Sequence, residues 1–387
     1  MRVRKSDLIF SLLFVPLSFK VIPLGLAGAK VFHLTSLLFA PSIRRAAFLN
    51  KFFLLFFAST VATVFIQFLY SGQFSGYYLA RHIFWLYCFL IGFSIAKRFP
   101  EKDLISAFTV SVYLVVFLVF LKNLLYLDVI VSMFFSGGAH PRSPWNFFNP
   151  GYNVNSEVTW VAIFSLLGWG LSENKKYVLL ILVFALMNAL VSKVNGAILL
   201  VLLYFVIATF VRFRSEVKIV GFVVGAIGIA VILLGLSYEF YEELGSGRLE
   251  LWFVAAEEIK KFSFLEVFLG RGIGSLASFG YFEDLSLLDF HNIFIDIFYE
   301  MGAVGLLIYV LCILVPALKV SLQRPTAGNT LNRSLGVVVL LVLFNGLFTP
   351  RPLDPMFAFI VGAFLGTSSV MRREGERHRI LSINHAR

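Results

Sequence analysis

The amino-acid sequence predicts an all-α polytopic membrane protein of about twelve transmembrane helices with one long loop between spans. Three observations predict it. Hydrophobic residues make up 59% of the 387 and charged ones only 14%, against roughly half and a quarter in soluble domains. The apolar residues fall in runs of about 15 to 20, the length that crosses a hydrocarbon core of about 30 Å. Short basic clusters separate the runs. A net charge of +11 would suggest nucleic acid in a soluble chain, but here the charges mark topology and no nucleic-acid partner is expected.

The spans are expected near 8–19, 21–40, 52–70, 82–96, 104–121, 158–171, 177–191, 197–211, 219–236, 293–315, 334–349 and 356–370. The first two are interrupted by Lys20, Pro23 and Lys30. Basic residues followed by an apolar stretch and Ala27-Gly28-Ala29 imitate a cleaved signal peptide, yet Lys20 and Pro23 sit where such a peptide is apolar, so an uncleaved first span is expected. With both termini cytoplasmic, about two thirds of the 33 basic residues fall on the cytoplasmic side, as the positive-inside rule requires. Cys88 and Cys312 both lie inside expected spans and read as packing residues.

Three regions follow: 1–236, with about nine spans and a mid-sized extracytoplasmic loop at 122–157; the long loop 237–292; and 293–387, with three spans and a basic tail. No fixed repeat and no pair of broken spans in matching halves appears, the pattern of an inverted-repeat transporter. Residue variety is concentrated on the extracytoplasmic face. A loop this long and this apolar is expected to be structured and functional.

Within the long loop, Leu249, Trp252, Phe253, Ala256 and Ile259 recur at helical spacing, with Glu250, Glu257, Glu258 and Lys261 opposite. This is an amphipathic helix, lying on the bilayer surface or capping a cavity. Ser246 is its expected N-cap, between Gly245 and Gly247. Arg248 then stands in the first turn, where the helix dipole disfavours a cation unless an anion is held there; a solvated loop arginine is the alternative. Gly270, Arg271, Gly272, Ile273 and Gly274 form a glycine cluster that either makes turns or lets backbone approach a ligand. Past Asp289, Phe290 and His291, the residues Asn292, Asp296 and Glu300 fall at i, i+4 and i+8, a polar stripe on the next helix. Carboxylates near membrane depth face a cavity or a partner. His291, at the point of re-entry, reads as a hydrogen-bonding residue or a catalyst.

Pro, Gly, Asn and aromatic residues from Gly137 to Asn153 predict a compact loop suited to carbohydrate, although an interfacial aromatic belt explains Trp145 equally well. Arg142 and Lys193 are isolated cations on this face; with Arg248 and Arg271 they could neutralise a diphosphate. No HExxH, no His/Cys cluster, no GxSxG and no P-loop is present, so neither metal nor cofactor is expected.

Taken in order, Gly245-Ser246-Gly247-Arg248, Trp252, Gly270-x-Gly272-x-Gly274, His291-Asn292 and Glu300-x-Gly302-x-x-Gly305 resemble the shared signature of the O-antigen polymerase and ligase superfamily, the Wzy and WaaL proteins. Phe148-Asn149-Pro150 with Asn155, and Ser192-Lys193 with Gly196-Ala197, look like its two further loop motifs. The resemblance covers roughly residues 140–315 in motif order. It implies a metal-independent inverting glycosyltransferase of the GT-C type at the periplasmic face of a bacterial inner membrane. Its substrate would be a glycan on undecaprenyl diphosphate, and a chain-length regulator would be a protein partner. On the family pattern Arg248 holds the diphosphate with a second cation from the earlier loops. His291 orients or deprotonates the acceptor, and Asn292, Trp252, Gly272, Gly274 and Glu300 position the substrates. The family usually shows arginine where this chain has Lys193. Polymerase is favoured over ligase by the Ser-Gly-Arg, Trp and His-Asn forms; a transporter of the same lipid-linked glycan is the non-enzymatic alternative.

Overall fold

A computed structural model describes residues 4–19, 31–71, 76–125, 127, 154–192, 194–211, 248–278, 290, 292–324, 326, 328–347 and 354–385. All secondary structure among the described residues is helical. In chain order the helices are α1 (Lys5–Phe19), α2 (Val31–Leu37), α3 (Arg45–Phe48), α4 (Lys51–Ser71), α5 (Gly76–Arg98), α6 (Glu101–Leu125), α7 (Val154–Leu171), α8 (Lys175–Val191), α9 (Asn195–Phe210), α10 (Arg248–Lys260), α11 (Phe264–Leu269), α12 (Ile293–Tyr309), α13 (Val315–Ser321), α14 (Thr330–Asn345) and α15 (Pro355–His385).

Among the described residues, four stretches are long and apolar enough to cross a membrane: Lys51–Leu69, Tyr78–Arg98, Glu101–Leu125 and Ile293–Ser321. Shorter apolar helices accompany them at Asp7–Leu17, Glu157–Leu171, Asn195–Phe210, Thr330–Asn345 and Pro355–Met371. Most of the expected spans thus coincide with apolar helices. The second does not: the described part of 21–40 carries only the seven-residue α2 before a 3₁₀ turn at Ala40–Ser42. The span expected at 219–236 lies outside the described residues.

One core of buried aromatic and branched side chains runs through α1, α4–α9 and α12–α15. Among the described residues, α5 and α15 make the most extensive helix–helix contact, and the reason is glycine. A Cβ built on Gly92 would overlap the Phe359 carbonyl, and those on Gly362 and Gly366 would meet the backbone of Phe89 and Phe93. Gly362 and Gly366 stand one turn apart, so the two backbones approach along a small-residue face, the device by which helices pack in lipid without a hydrophobic driving force.

The helix expected at 293–315 is longer and interrupted twice. Gly302 breaks it with φ 64° and ψ −167°, and a π turn at Val310–Leu314 precedes Pro316. Proline lacks the N–H and crowds the carbonyl four residues back, so the wider turn lets the helix run on past it. Both cysteines are free, Cys88 buried and Cys312 partly so.

Candidate functional site

The described half of the long loop folds onto the first turns of α12, and backbone amides do most of the joining. Opening the helix at Gly302 frees the carbonyls of Tyr299 and Glu300 from their usual intrahelical donors. The glycine cluster supplies replacements. Arg271 N–H donates to the Tyr299 carbonyl at 2.9 Å, and Gly272 N–H to that of Glu300 at 3.0 Å. Gly274 N–H donates to the Glu300 carboxylate at 2.8 Å. A Cβ on Gly270 would overlap the Glu300 carbonyl, and one on Gly302 the backbone of Phe268 and Leu269. Both glycines hold φ and ψ near +70° and 180°, a region almost reserved for glycine. Gly270-x-Gly272-x-Gly274 and Glu300-x-Gly302, about thirty residues apart, are two halves of one backbone-to-backbone joint.

The polar stripe on α12 has the same use. Asn292 caps the helix, its Oδ1 accepting from Phe294 N–H at 3.0 Å and Ile295 N–H at 3.3 Å. Asp296 Oδ1 accepts from Phe290 N–H at 3.0 Å. Asn292 is 8% exposed and Asp296 2%. All three stripe residues therefore hold backbone amides at the junction of loop and helix. Glu300, expected to position substrate, here positions the glycine turn.

Trp252 reaches the same junction from α10: its indole N–H donates to the Phe290 carbonyl at 3.1 Å. The peptide groups of Phe290 are thus held on both sides, and its fully buried ring packs edge-on to Tyr299 with centroids 5.3 Å apart. Leu251, Ala255, Leu276, Phe290 and Tyr299 form a small separate core beneath α10. The amphipathic helix is confirmed but rotated from its expected face. Leu251 and Ala255 are buried while Phe253 is 61% exposed. Glu258, expected outward, turns in, because Arg271 is there to receive it.

Arg271 was expected to help neutralise a diphosphate. Its guanidinium instead lies among protein partners: Nε donates to Glu266 at 3.0 Å, and one terminal nitrogen donates to Glu258 at 3.2 Å and to the Tyr299 hydroxyl at 2.9 Å. The group also lies 4.6 Å from the centre of the Phe262 ring. Two carboxylates already balance its charge. Hydrogen bonding from Lys261, opposed by partial burial and reinforced by Arg271, holds the Glu258 carboxyl below its ordinary value. For Glu266, burial pushes upward but is outweighed by hydrogen bonds from Ser263 and Arg271, so it too titrates low. Ser263 and Glu266 form a capping box at the start of α11; the Ser-x-x-Glu spacing is a sequence signal for this helix that the hydrophobic pattern alone misses.

Arg248 opens α10, one helical turn before Trp252; its side chain, like Arg142, Lys193 and His291 as a whole, lies outside the described residues. The structure brings together Trp252, Arg271, Gly272, Gly274, Asn292 and Glu300. Sequence reasoning missed Phe290, Tyr299, Glu258 and Glu266. Among the described residues no group of three His, Cys, Asp or Glu could hold a metal ion.

Beyond the site, Lys122 and Glu157 form an ion pair with side chains 4% and 12% exposed. Lys122 stands near the end of α6 and Glu157 in the first turn of α7, so the pair joins the two ends of the mid-sized loop. No family model matches this chain, and no characterised protein matches it significantly.

Proposed function

We propose that this chain is a metal-independent, inverting glycosyltransferase of GT-C architecture with twelve spans. On this reading it polymerises oligosaccharide repeat units carried on undecaprenyl diphosphate at the periplasmic face of a bacterial inner membrane. One observation carries the reading: the residues on either side of His291 are pinned. Phe290 is held at its N–H by Asp296 and at its C=O by Trp252, and Asn292 caps α12. Flanking anchors of this kind are what a catalytic residue at a helix mouth requires, since misplacement by about 1 Å can cost about a hundredfold in rate. Of the signature residues, Trp252 and Asn292 belong to this anchorage, and Gly270, Gly272, Gly274, Glu300 and Gly302 build the backbone joint beside it.

In the proposed reaction an acceptor sugar hydroxyl, oriented by His291 and giving it its proton, attacks the anomeric carbon of the donor glycan from the side opposite the diphosphate. The bond from that carbon to the diphosphate oxygen breaks, and undecaprenyl diphosphate leaves. Arg248, in the first turn of α10, stabilises the departing anion together with Lys193 or Arg142. Because the leaving group is already good, positioning and charge stabilisation carry most of the acceleration. Arg271, already balanced by two glutamates, serves the frame and not the anion.

The test is Arg248→Ala and His291→Ala in cells lacking the native gene, with lipopolysaccharide read on gels and membrane abundance on blots. Each variant is expected to abolish long chains at unchanged abundance. Long chains from either variant would defeat the assigned role. Core carrying a single repeat in the deletion identifies a polymerase, whereas bare core redirects the reading to the ligase, which transfers the glycan to lipid A core.

A further inference from the structure

The face that α11 turns away from the bundle is strongly apolar. Phe264 is 80% exposed, Phe268 44% and Leu265 42%, and Phe253 of α10 is 61% exposed. Phe264 and Phe268 are one turn apart, with ring centroids 4.8 Å from each other. The opposite side is committed inward. Glu266 binds Arg271, and the backbone at Phe268 and Leu269 lies against Gly302.

The depth of this face is set by its neighbours. Gly302 packs on the end of α11, Gly272 on Gln67 and Gly274 on Tyr78. Gln67 lies near the end of α4, and Tyr78 near the start of α5. Beyond Gly302, the long apolar helix runs to Ser321, which at 1.5 Å per residue is about 30 Å, one hydrocarbon thickness. Tyr78–Arg98 covers the same length. The whole stretch Ile293–Ser321 is 29 residues, about 44 Å as a helix and too long to lie within the core. A membrane boundary at the level of Gly302, Gln67 and Tyr78 fits these lengths and leaves the segment Ile293–Met301, with Asp296 and Glu300, outside the hydrocarbon.

We propose that Phe264, Leu265 and Phe268 are an interfacial anchor that inserts into the bilayer surface at this boundary. The occupant of the exposed face is lipid acyl chain and headgroup, because the face lies level with the ends of the spans and its rings have the character that interfaces select. The anchor ties bilayer position to the joint that holds Phe290. This inference does not depend on the transferase reading.

The experiment places a nitroxide label at Phe264→Cys, Leu265→Cys and, as an aqueous reference, Glu257→Cys. Cys88 and Cys312 are replaced by alanine, and the full chain is reconstituted in phosphatidylethanolamine/phosphatidylglycerol vesicles. Power-saturation spectra are expected to show that labels at 264 and 265 collide with oxygen several-fold more than with a water-soluble nickel chelate, and the label at 257 the reverse. Nickel accessibility at 264 and 265 equal to that at 257 would overturn the anchor. Dipolar broadening between labels would put a second copy of the chain on the face and overturn it equally. Two adjacent label sites guard against one substitution disturbing the fold.

Discussion

Gly302 concentrates the site's dependence on a single atom. Its φ of 64° with ψ of −167° is a conformation an L side chain holds only at a cost of about 1–3 kcal/mol, and its missing Cβ is the space occupied by the Phe268 and Leu269 backbone. Gly302→Ala is expected to lower stability by about 3 kcal/mol or more, since strain and overlap add, and thermal unfolding in detergent measures it; a melting temperature within a degree of the parent would show that the joint tolerates a side chain. Arg271 offers a second test, through pH. Glu258 and Glu266 titrate below their ordinary range in the folded chain, so the stability they contribute is complete above roughly pH 5. It is lost as pH falls through their folded values. Arg271→Ala is expected to cost about 2 kcal/mol at neutral pH, with the deficit shrinking toward pH 3. Arg271→Lys recovers little, lacking the planar fork that meets two carboxylates and a ring together. A deficit constant from pH 3 to 7 would mean that the guanidinium contributes packing alone.

At the scale of elements, hydrophobic periodicity found the amphipathic helix α10 within a residue or two, and misjudged its inward face. The reason is physical: periodicity weighs Phe253 as core and Glu258 as surface, whereas an arginine thirteen residues on in the chain reverses the two. The stripe Asn292, Asp296 and Glu300 was legible as a stripe, but its use was not, because a partner that is a backbone amide leaves no residue type to recognise. Gly302 stood out as part of a motif, but the break it makes was not legible, because a glycine inside an apolar run does not show whether the helix continues through it. Trp252 lies between element and site. Trp252→Phe keeps a ring in the small core but removes the N–H that holds the Phe290 carbonyl. If that bond positions His291, chain extension falls about tenfold or more while melting temperature moves little. The loss should sit in kcat and not in KM, because the bond orders the reacting group and does not touch the substrate. Unchanged kcat would reduce Trp252 to packing.

Across the whole molecule, composition made the membrane class plain, and the lengths of apolar runs located most helices. Two long-range features needed three dimensions. The α5–α15 contact follows from Gly92, Gly362 and Gly366 meeting backbone, which the spacing of the last two signals only once the partner helix is known. The Lys122–Glu157 pair, at the two ends of the mid-sized loop, could be read as two boundary charges but not as a bond. With side chains 4% and 12% exposed, its two members depend on each other. An ion pair taken out of water gains little net stability, yet losing one partner strands the other at about 3–5 kcal/mol. Lys122→Met is therefore expected to unfold or sharply destabilise the α6–α7 end of the bundle, and Glu157→Met likewise. The double variant Lys122→Met with Glu157→Met should regain most of the loss, since well-packed apolar side chains of similar volume commonly equal a buried pair. Melting temperatures of the four proteins form a double-mutant cycle, and their coupling separates two meanings of the pair. Strong coupling with a stable but inactive double variant would assign the charges to the loop that carries Arg142, and so to the work of the site. Additive losses would mean that Lys122 and Glu157 each have a stronger partner elsewhere, and the loop would then be held by its apolar flanks alone.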